Sequence, residues 1–182
     1  MLTSAQLQTL LENINTAKVG GKTTVINITG DKIGVVSAAA YSSGDILGTK
    51  NPIEIECLTS DNGTAIIQSL VIGDLDAQNG AIDVIVFNSS PSATTFTDNT
   101  ALDINDADLT KIIHGGISIT STNYKSYSNN SVATLNGIGV PAQNVSTSTG
   151  KKNTLWVAFV SRDSKTYSSN NAISAKIGFL QD

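Results

Sequence analysis

From Lys22 onward, hydrophobic and polar positions alternate along the chain with a period of two. Turn residues interrupt that alternation roughly every ten positions, the spacing of short antiparallel strands. The strictest case is PIEIECL at 52–58, where Ile53, Ile55 and Cys57 fall on one face and Glu54 and Glu56 on the other. KTTVINIT at 22–29, AIIQSLVIGD at 65–74, ISIT at 117–120, SVATLNGI at 131–138 and AISAKIGFL at 172–180 read the same way. IGVVSAAAY at 33–41 is expected to add a strand after a GDK turn. AIDVIVFN at 81–88 and TLWVAFVS at 154–161 are almost continuously apolar, as central strands covered on both faces should be. The second of these puts Trp156 in the core.

Two stretches follow a helical period instead. Near the start, Thr3-x-x-Gln6 has the form of a capping box. Leu7, Leu10, Leu11 and Ile14 then make one apolar stripe that ends before Gly20-Gly21. The stripe has two readings. It is a cover packed over one end of the domain, or an oligomer or docking arm whose contact residues are Leu7, Leu11 and Ile14. The second stretch, DADLTKII at 106–113, has Asp106 or Asp108 at a helix start and Leu109, Ile112 and Ile113 at helical spacing. The acidic loop before it, 98–108, offers oxygen ligands to a calcium ion, but the loop glycine and closing Glu of the EF-hand are missing. Capping is the reading taken. Together these elements predict an all-β fold, a jelly-roll-like antiparallel β-sandwich with an N-terminal α-helix and one short inserted helix. Residues 1–20 form the helix or arm and 21–182 a single sandwich domain, with 121–150 read as hairpin and loop.

Composition narrows the chemistry. Only 14% of the 182 residues are charged, while Ser, Thr and Asn number 21, 21 and 17. The outside is therefore neutral hydroxyl and amide. A net charge of −4, with Lys151-Lys152 the only adjacent basic pair, excludes the basic stripe that nucleic acid requires. The single cysteine, Cys57, reads as a buried small hydrophobe, and the single histidine, His114 in KIIHGG, as sitting at an element end. There is no nucleophile elbow, no P-loop and no zinc-protease motif, and NGIGV at 136–140 has only two glycines of the dinucleotide pattern. No enzyme and no cofactor are expected. No run approaches the ~20 apolar residues of a membrane span, so no membrane partner is expected. The N-terminus lacks the basic start and apolar run of a signal peptide, which points to synthesis in a cytoplasm without processing.

One resemblance runs through residues 41–115. YSSGDILG (41–48), SDNGTAIIQSLVIGD (60–74), IDVIVFNSSP (82–91) and TFTDNTALDINDADLTKIIHG (95–115) form a succession that resembles tailed-bacteriophage minor virion proteins of the decoration, cement or head auxiliary type. The resemblance implies a non-enzymatic protein on the capsid exterior, made in the bacterial host cytoplasm. Its partner would be the major capsid protein. A homotrimer would match a lattice threefold axis, and the polar loops at 121–131 and 144–153 are further contact candidates. The pieces also have local readings. Gly44-Asp45 and Gly48 make a turn, Asn62-Gly63 suits a tight hairpin, and Pro91 ends the strand of Phe87. A second functional reading is a carbohydrate- or receptor-binding sandwich, with Tyr124, Tyr127 and Tyr167 as an aromatic platform.

Overall fold

A computed structural model describes residues 3–6, 8, 22–35, 40–146 and 153–181. Nine strands lie among them: β1 (Lys22–Ile28), β2 (Ile53–Glu56), β3 (Thr64–Asp74), β4 (Ile82–Phe87), β5 (Ile112–Ile119), β6 (Tyr124–Tyr127), β7 (Asn130–Gln143), β8 (Thr154–Ser161) and β9 (Ile173–Gln181). One-turn helices occur at α1 (Gly30–Ile33) and α2 (Asp106–Leu109). The strands form two antiparallel sheets, β1-β9-β3-β7-β6 and β2-β8-β4-β5. Without the hairpin strand β6, each sheet has four strands, and every connection except β4 to β5 crosses from one sheet to the other. That order is a jelly roll. The capping box also forms: Thr3 N donates to Gln6 Oε1 at 2.9 Å and Gln6 N to Thr3 Oγ1 at 3.3 Å, with residues 4–6 and 8 helical.

Alternation of side chains explains the core between the sheets. Ile67, Leu70, Ile72, Ile177 and Phe179 point inward from the first sheet and meet Ile53, Ile55, Val84, Val157 and Phe159 from the second. The intervening residues of β4 and β8 point the other way, and they too are buried. Ile85, Phe87, Trp156, Ala158 and Val160 form a second cluster under Phe96, Leu102, Ile104 and Ile112. The 88–111 excursion between β4 and β5 thus lies across the outer face of the second sheet. Two carboxylates pin it, one at its middle and one near its end. Asp98 Oδ1 accepts from Tyr41 Oη at 2.8 Å and from Gly48 N at 2.6 Å. Asp108, fully buried, accepts from Ala93 N, Thr94 N and Lys111 Nζ.

Several expectations are corrected. The inserted helix stops at Leu109, because Ile112 already pairs with Phe87 in the ladder. Its cap is Asn105, whose side chain accepts from Ala107 N, and not an aspartate. In 33–41, the described residues form no strand. Ile33 closes α1, Gly34 turns left-handed at φ 68°, and residues 36–39 lie outside the described set. Asn62-Gly63 joins strands of different sheets and makes no hairpin. His114 sits inside β5, opposite Val86 where the register shifts. NGIGV is a bulge of β7, with Gly137 and Gly139 at φ 69° and 73° opposite the Ile67–Ser69 irregularity of β3.

Gly48 shows how tightly the 40–52 segment is threaded. Its φ is 102°, and a Cβ there would lie 2.2 Å from the Ile33 carbonyl oxygen. Gly48→Ala combines an unfavourable dihedral with a clash against backbone that has no rotamer to escape into. A loss of roughly 2–4 kcal/mol is expected from such strain, read as a lower urea midpoint at unchanged slope. Gly44→Ala is the control: its φ is also 102°, but the added Cβ meets nothing within 4 Å, so only the dihedral cost applies.

Candidate interaction surface

Among the described residues, 88–111 covers β4 and β8 of the second sheet, and the outer face of the first sheet is the broad strand surface left open. Its rows follow from the register. At one end Thr23 lies beside Leu180, Leu180 beside Ile66, and Ile66 beside Pro141. Further along, Asn27, Lys176, Val71 and Thr134 make a parallel row. Val25 between them is 59% exposed. The five strands of this sheet carry four charged residues in all, Lys22, Asp74, Lys125 and Lys176. Asp74 is buried, and its carboxylate accepts from the N–H groups of Asp76 and Asn79 to hold the turn after β3. Burial raises its pKa against the lowering effect of those bonds. The open face is therefore hydroxyl, amide and aliphatic, with two lysines.

A groove of about 480 Å³ runs over the apolar row, lined by Thr64, Ile66, Pro141, Gln143 and Leu180 among others, none of them charged. Ile66 is 37% exposed in it. A second cleft of about 330 Å³ lies between Ile46 and the 93–105 stretch, with Thr95, Thr97, Thr100, Asp103 and Asn105 on its walls. It offers hydroxyls, an amide and a carboxylate, but its lining holds no aromatic ring.

The sequence candidates distribute unevenly over this geometry. Leu7, Leu11 and Ile14 lie outside the described residues. The three tyrosines do not share a surface. Tyr127 is exposed on the outer face, while Tyr124, three residues earlier on β6, turns inward and donates to the Gly80 carbonyl at 2.9 Å. Tyr167 is fully buried, with its ring 6.1 Å from that of Tyr41. Burial, reinforced by the Asp74 and Asp163 carboxylates, pushes both inward phenols up. Trp156 and Cys57 are both core residues. Burial pushes the Cys57 thiol up to about 12, so it carries no thiolate at neutral pH. No cluster of three or more His, Cys, Asp or Glu side chains is arranged for a metal among the described residues. Asp98 and Asp108 of the acidic loop are occupied by internal donors. No helix among the described residues is long and apolar enough to cross a membrane.

No family model matches the chain, and no curated protein matches it. Among solved structures, a chain of the native virion of Kashmir bee virus at neutral pH is similar at 11% identity and a TM-score of 0.28. That match covers 88% of this chain and 70% of the viral one. A chain of the Israeli acute paralysis virus full particle is similar at 9% identity and a TM-score of 0.27, covering 88% and 71%. The fold assignment rests on strand order, independently of these likenesses.

Proposed function

We propose that this protein is a non-enzymatic structural component of a virion, a decoration or cement protein on the capsid exterior of a tailed bacteriophage. The observation that carries the reading is the asymmetry of the sandwich. The central strands of one sheet are closed on both faces, and among the described residues the other sheet presents an open, nearly uncharged face. Such a face sheds water at lower cost than a charged one, since unpaired ions are the expensive groups to bury. Neighbouring major capsid subunits are the partner this surface fits, and binding the assembled shell in preference to its separated parts stabilises the shell by mass action. The motifs of 41–115 support the phage assignment through the turns that position the 40–48 segment and the 88–111 cover. A homotrimer on a lattice threefold axis is the oligomer proposed.

Mass spectrometry of purified virions is expected to find the chain in many copies per particle, and its absence from particles overturns the reading. The face itself is tested by Thr134→Glu combined with Asn136→Glu. Both side chains are exposed on β7. Particle binding should fall at least tenfold, about 1.4 kcal/mol, while the melting temperature of the free protein stays unchanged. Undiminished binding would move the contact away from this sheet.

A further inference from the structure

We propose that the turn joining β3 to β4 is a calcium site, in which Asp163 Oδ1, Asn79 Oδ1 and Ser131 Oγ take the ion. The inference goes beyond the virion reading and does not depend on it. Two carboxylates grip this turn. Asp74 Oδ2 accepts from Asn79 N at 2.8 Å, and Asp163 Oδ2 accepts from Ala81 N at 3.1 Å. Those N–H groups are two residues apart, at most about 7 Å, so both charges stand beside Gly80. Tyr124 Oη donates to the Gly80 carbonyl at 2.9 Å. A Cβ on Gly80 would lie 2.6 Å from Tyr167 Oη and 3.5 Å from Asp163 Oδ1, so glycine keeps a side chain away from that oxygen. Burial raises both phenols, and the charges of Asp74 and Asp163 add to it. All four groups therefore share one electrostatic neighbourhood.

The observation that points to a ligand is what this neighbourhood leaves unmet. Asn79 Oδ1, Asp163 Oδ1 and Ser131 Oγ are buried without a hydrogen-bond partner, and among the described residues no other buried side-chain polar atom is left so. Ser131 is 1% exposed and lies directly opposite Asp74 on the inward face of the first sheet. The Cβ atoms of such a pair are about 4.5–5.5 Å apart, which aims the hydroxyl at the turn. Buried polar groups are bonded as a rule, so a cluster left unmet calls for an ion or water. Charge decides between them. Asp74 and Asp163 bring two carboxylates, and Lys165 Nζ stands 3.8 Å from Asp163 Oδ2, not from the unmet Oδ1. A buried anionic oxygen is costly without a positive partner. Asp76 stands outside the set, engaged by Ser168 N and Oγ. Carboxylate, amide and hydroxyl oxygens with no nitrogen or sulfur form the ligand set of calcium, whose remaining positions water fills. With only two carboxylates in the set, the expected dissociation constant is about 1 mM.

The test uses the full chain with calcium chloride and with terbium, an oxygen-seeking ion that tyrosine sensitises to emit. Relative to chelator, about 10 mM calcium should raise the melting temperature by about 3–6 °C, and sodium chloride at matched ionic strength should not. Terbium emission excited through tyrosine should saturate at one ion per chain and be displaced by calcium. Asp163→Asn should weaken calcium binding roughly tenfold by removing the one charged ligand. Ser131→Ala deletes a hydroxyl that makes no bond in the fold, so its melting temperature in chelator should hold while calcium binding weakens roughly threefold. If Asp163→Asn does not fold, Ser131→Ala carries the test. Asp103→Asn, an exposed carboxylate of the 88–111 cover, is the control and should bind as the wild type does. The absence of both the calcium shift and saturable terbium emission would overturn the proposal and leave the turn to water. Binding that Ser131→Ala and Asp163→Asn leave unchanged would put the ion elsewhere, and equal loss in Asp103→Asn would mean diffuse binding to surface charge. Each of those results overturns it too.

Discussion

Replacing Asn51 with alanine should cost about 4 kcal/mol, among the largest losses any single polar substitution in this protein produces. The reason lies in a gap in the second sheet. Residues 44–47 run along β8, with Gly44 N donating to the Ser161 carbonyl and Leu47 N to that of Phe159, each near 2.9 Å. β2 resumes the pairing from Ile53, opposite Val157. Between them the backbone turns away, and the Asn51 side chain takes its place. Its amide donates to the carbonyls of Leu47 at 2.9 Å and Gly48 at 2.8 Å, and its oxygen accepts from Phe159 N at 3.0 Å. Asn51 is buried, so truncation strands these groups away from water, at about 1–3 kcal/mol for each one left unsatisfied. Asn51→Asp should be nearly as harmful, because it keeps the acceptor but aims an oxygen at two carbonyls. Lys50→Ala, an exposed neighbour, should stay within about 0.5 kcal/mol. Urea unfolding reads all three. A loss below about 1 kcal/mol for Asn51→Ala would mean that water replaces the side chain and the gap is not sealed by it.

How much of this was legible in the sequence depends on whether the signal is local. The alternation of 53–57 and the continuous apolar run of 154–161 dictated β2 and β8, because side-chain period and burial are properties of a single strand. Leu109, Ile112 and Ile113 fell at helical spacing by coincidence. What ends α2 is the pairing of Ile112 with Phe87, a contact across 25 positions that no local window contains. Ile33 and Val35 are buried like strand residues, yet they fill the core from outside any ladder. The apolar runs of β4 and β8 announced that both faces would be covered, without saying by what. The open face was invisible for the same reason. The row of Leu180, Ile66 and Pro141 exists only once registers join residues that lie far apart in the chain. The tyrosine platform failed on the complementary point: composition placed Tyr124, Tyr127 and Tyr167 in similar polar surroundings, and strand alternation sent them to different sides.

Asp108 makes the second large prediction, and it concerns acid. Its carboxylate sits under the 88–111 cover, with Oδ2 accepting from Ala93 N at 2.9 Å and Thr94 N at 2.6 Å and Oδ1 from Lys111 Nζ at 2.6 Å. Lys111 also donates to the Ser90 carbonyl, so one ammonium and one carboxylate close the loop. Burial alone would raise the Asp108 pKa, but the bonds from Lys111 and Thr94 and the lysine charge outweigh it and hold the group below the ordinary carboxylate range. The folded protein therefore binds this proton less readily than the unfolded chain, and stability rises with pH through the window between the two pKa values. The contribution is complete above the unfolded value of about 3.9 and is lost as pH falls through the folded one. Asp108→Ala should cost roughly 3 kcal/mol at neutral pH, since it removes one partner of a buried pair and leaves two N–H groups unmet. Asp108→Asn keeps an acceptor for the backbone and gives up the charge, so its loss should be smaller. The distinguishing readout is the slope. Between neutral pH and about pH 3, the difference in unfolding free energy between wild type and Asp108→Asn should shrink, because acid removes from the wild type what the substitution has already removed. A difference that stays constant over that range would place the acid-sensitive carboxylates elsewhere and leave Asp108 as a hydrogen-bond acceptor whose charge is irrelevant to the fold.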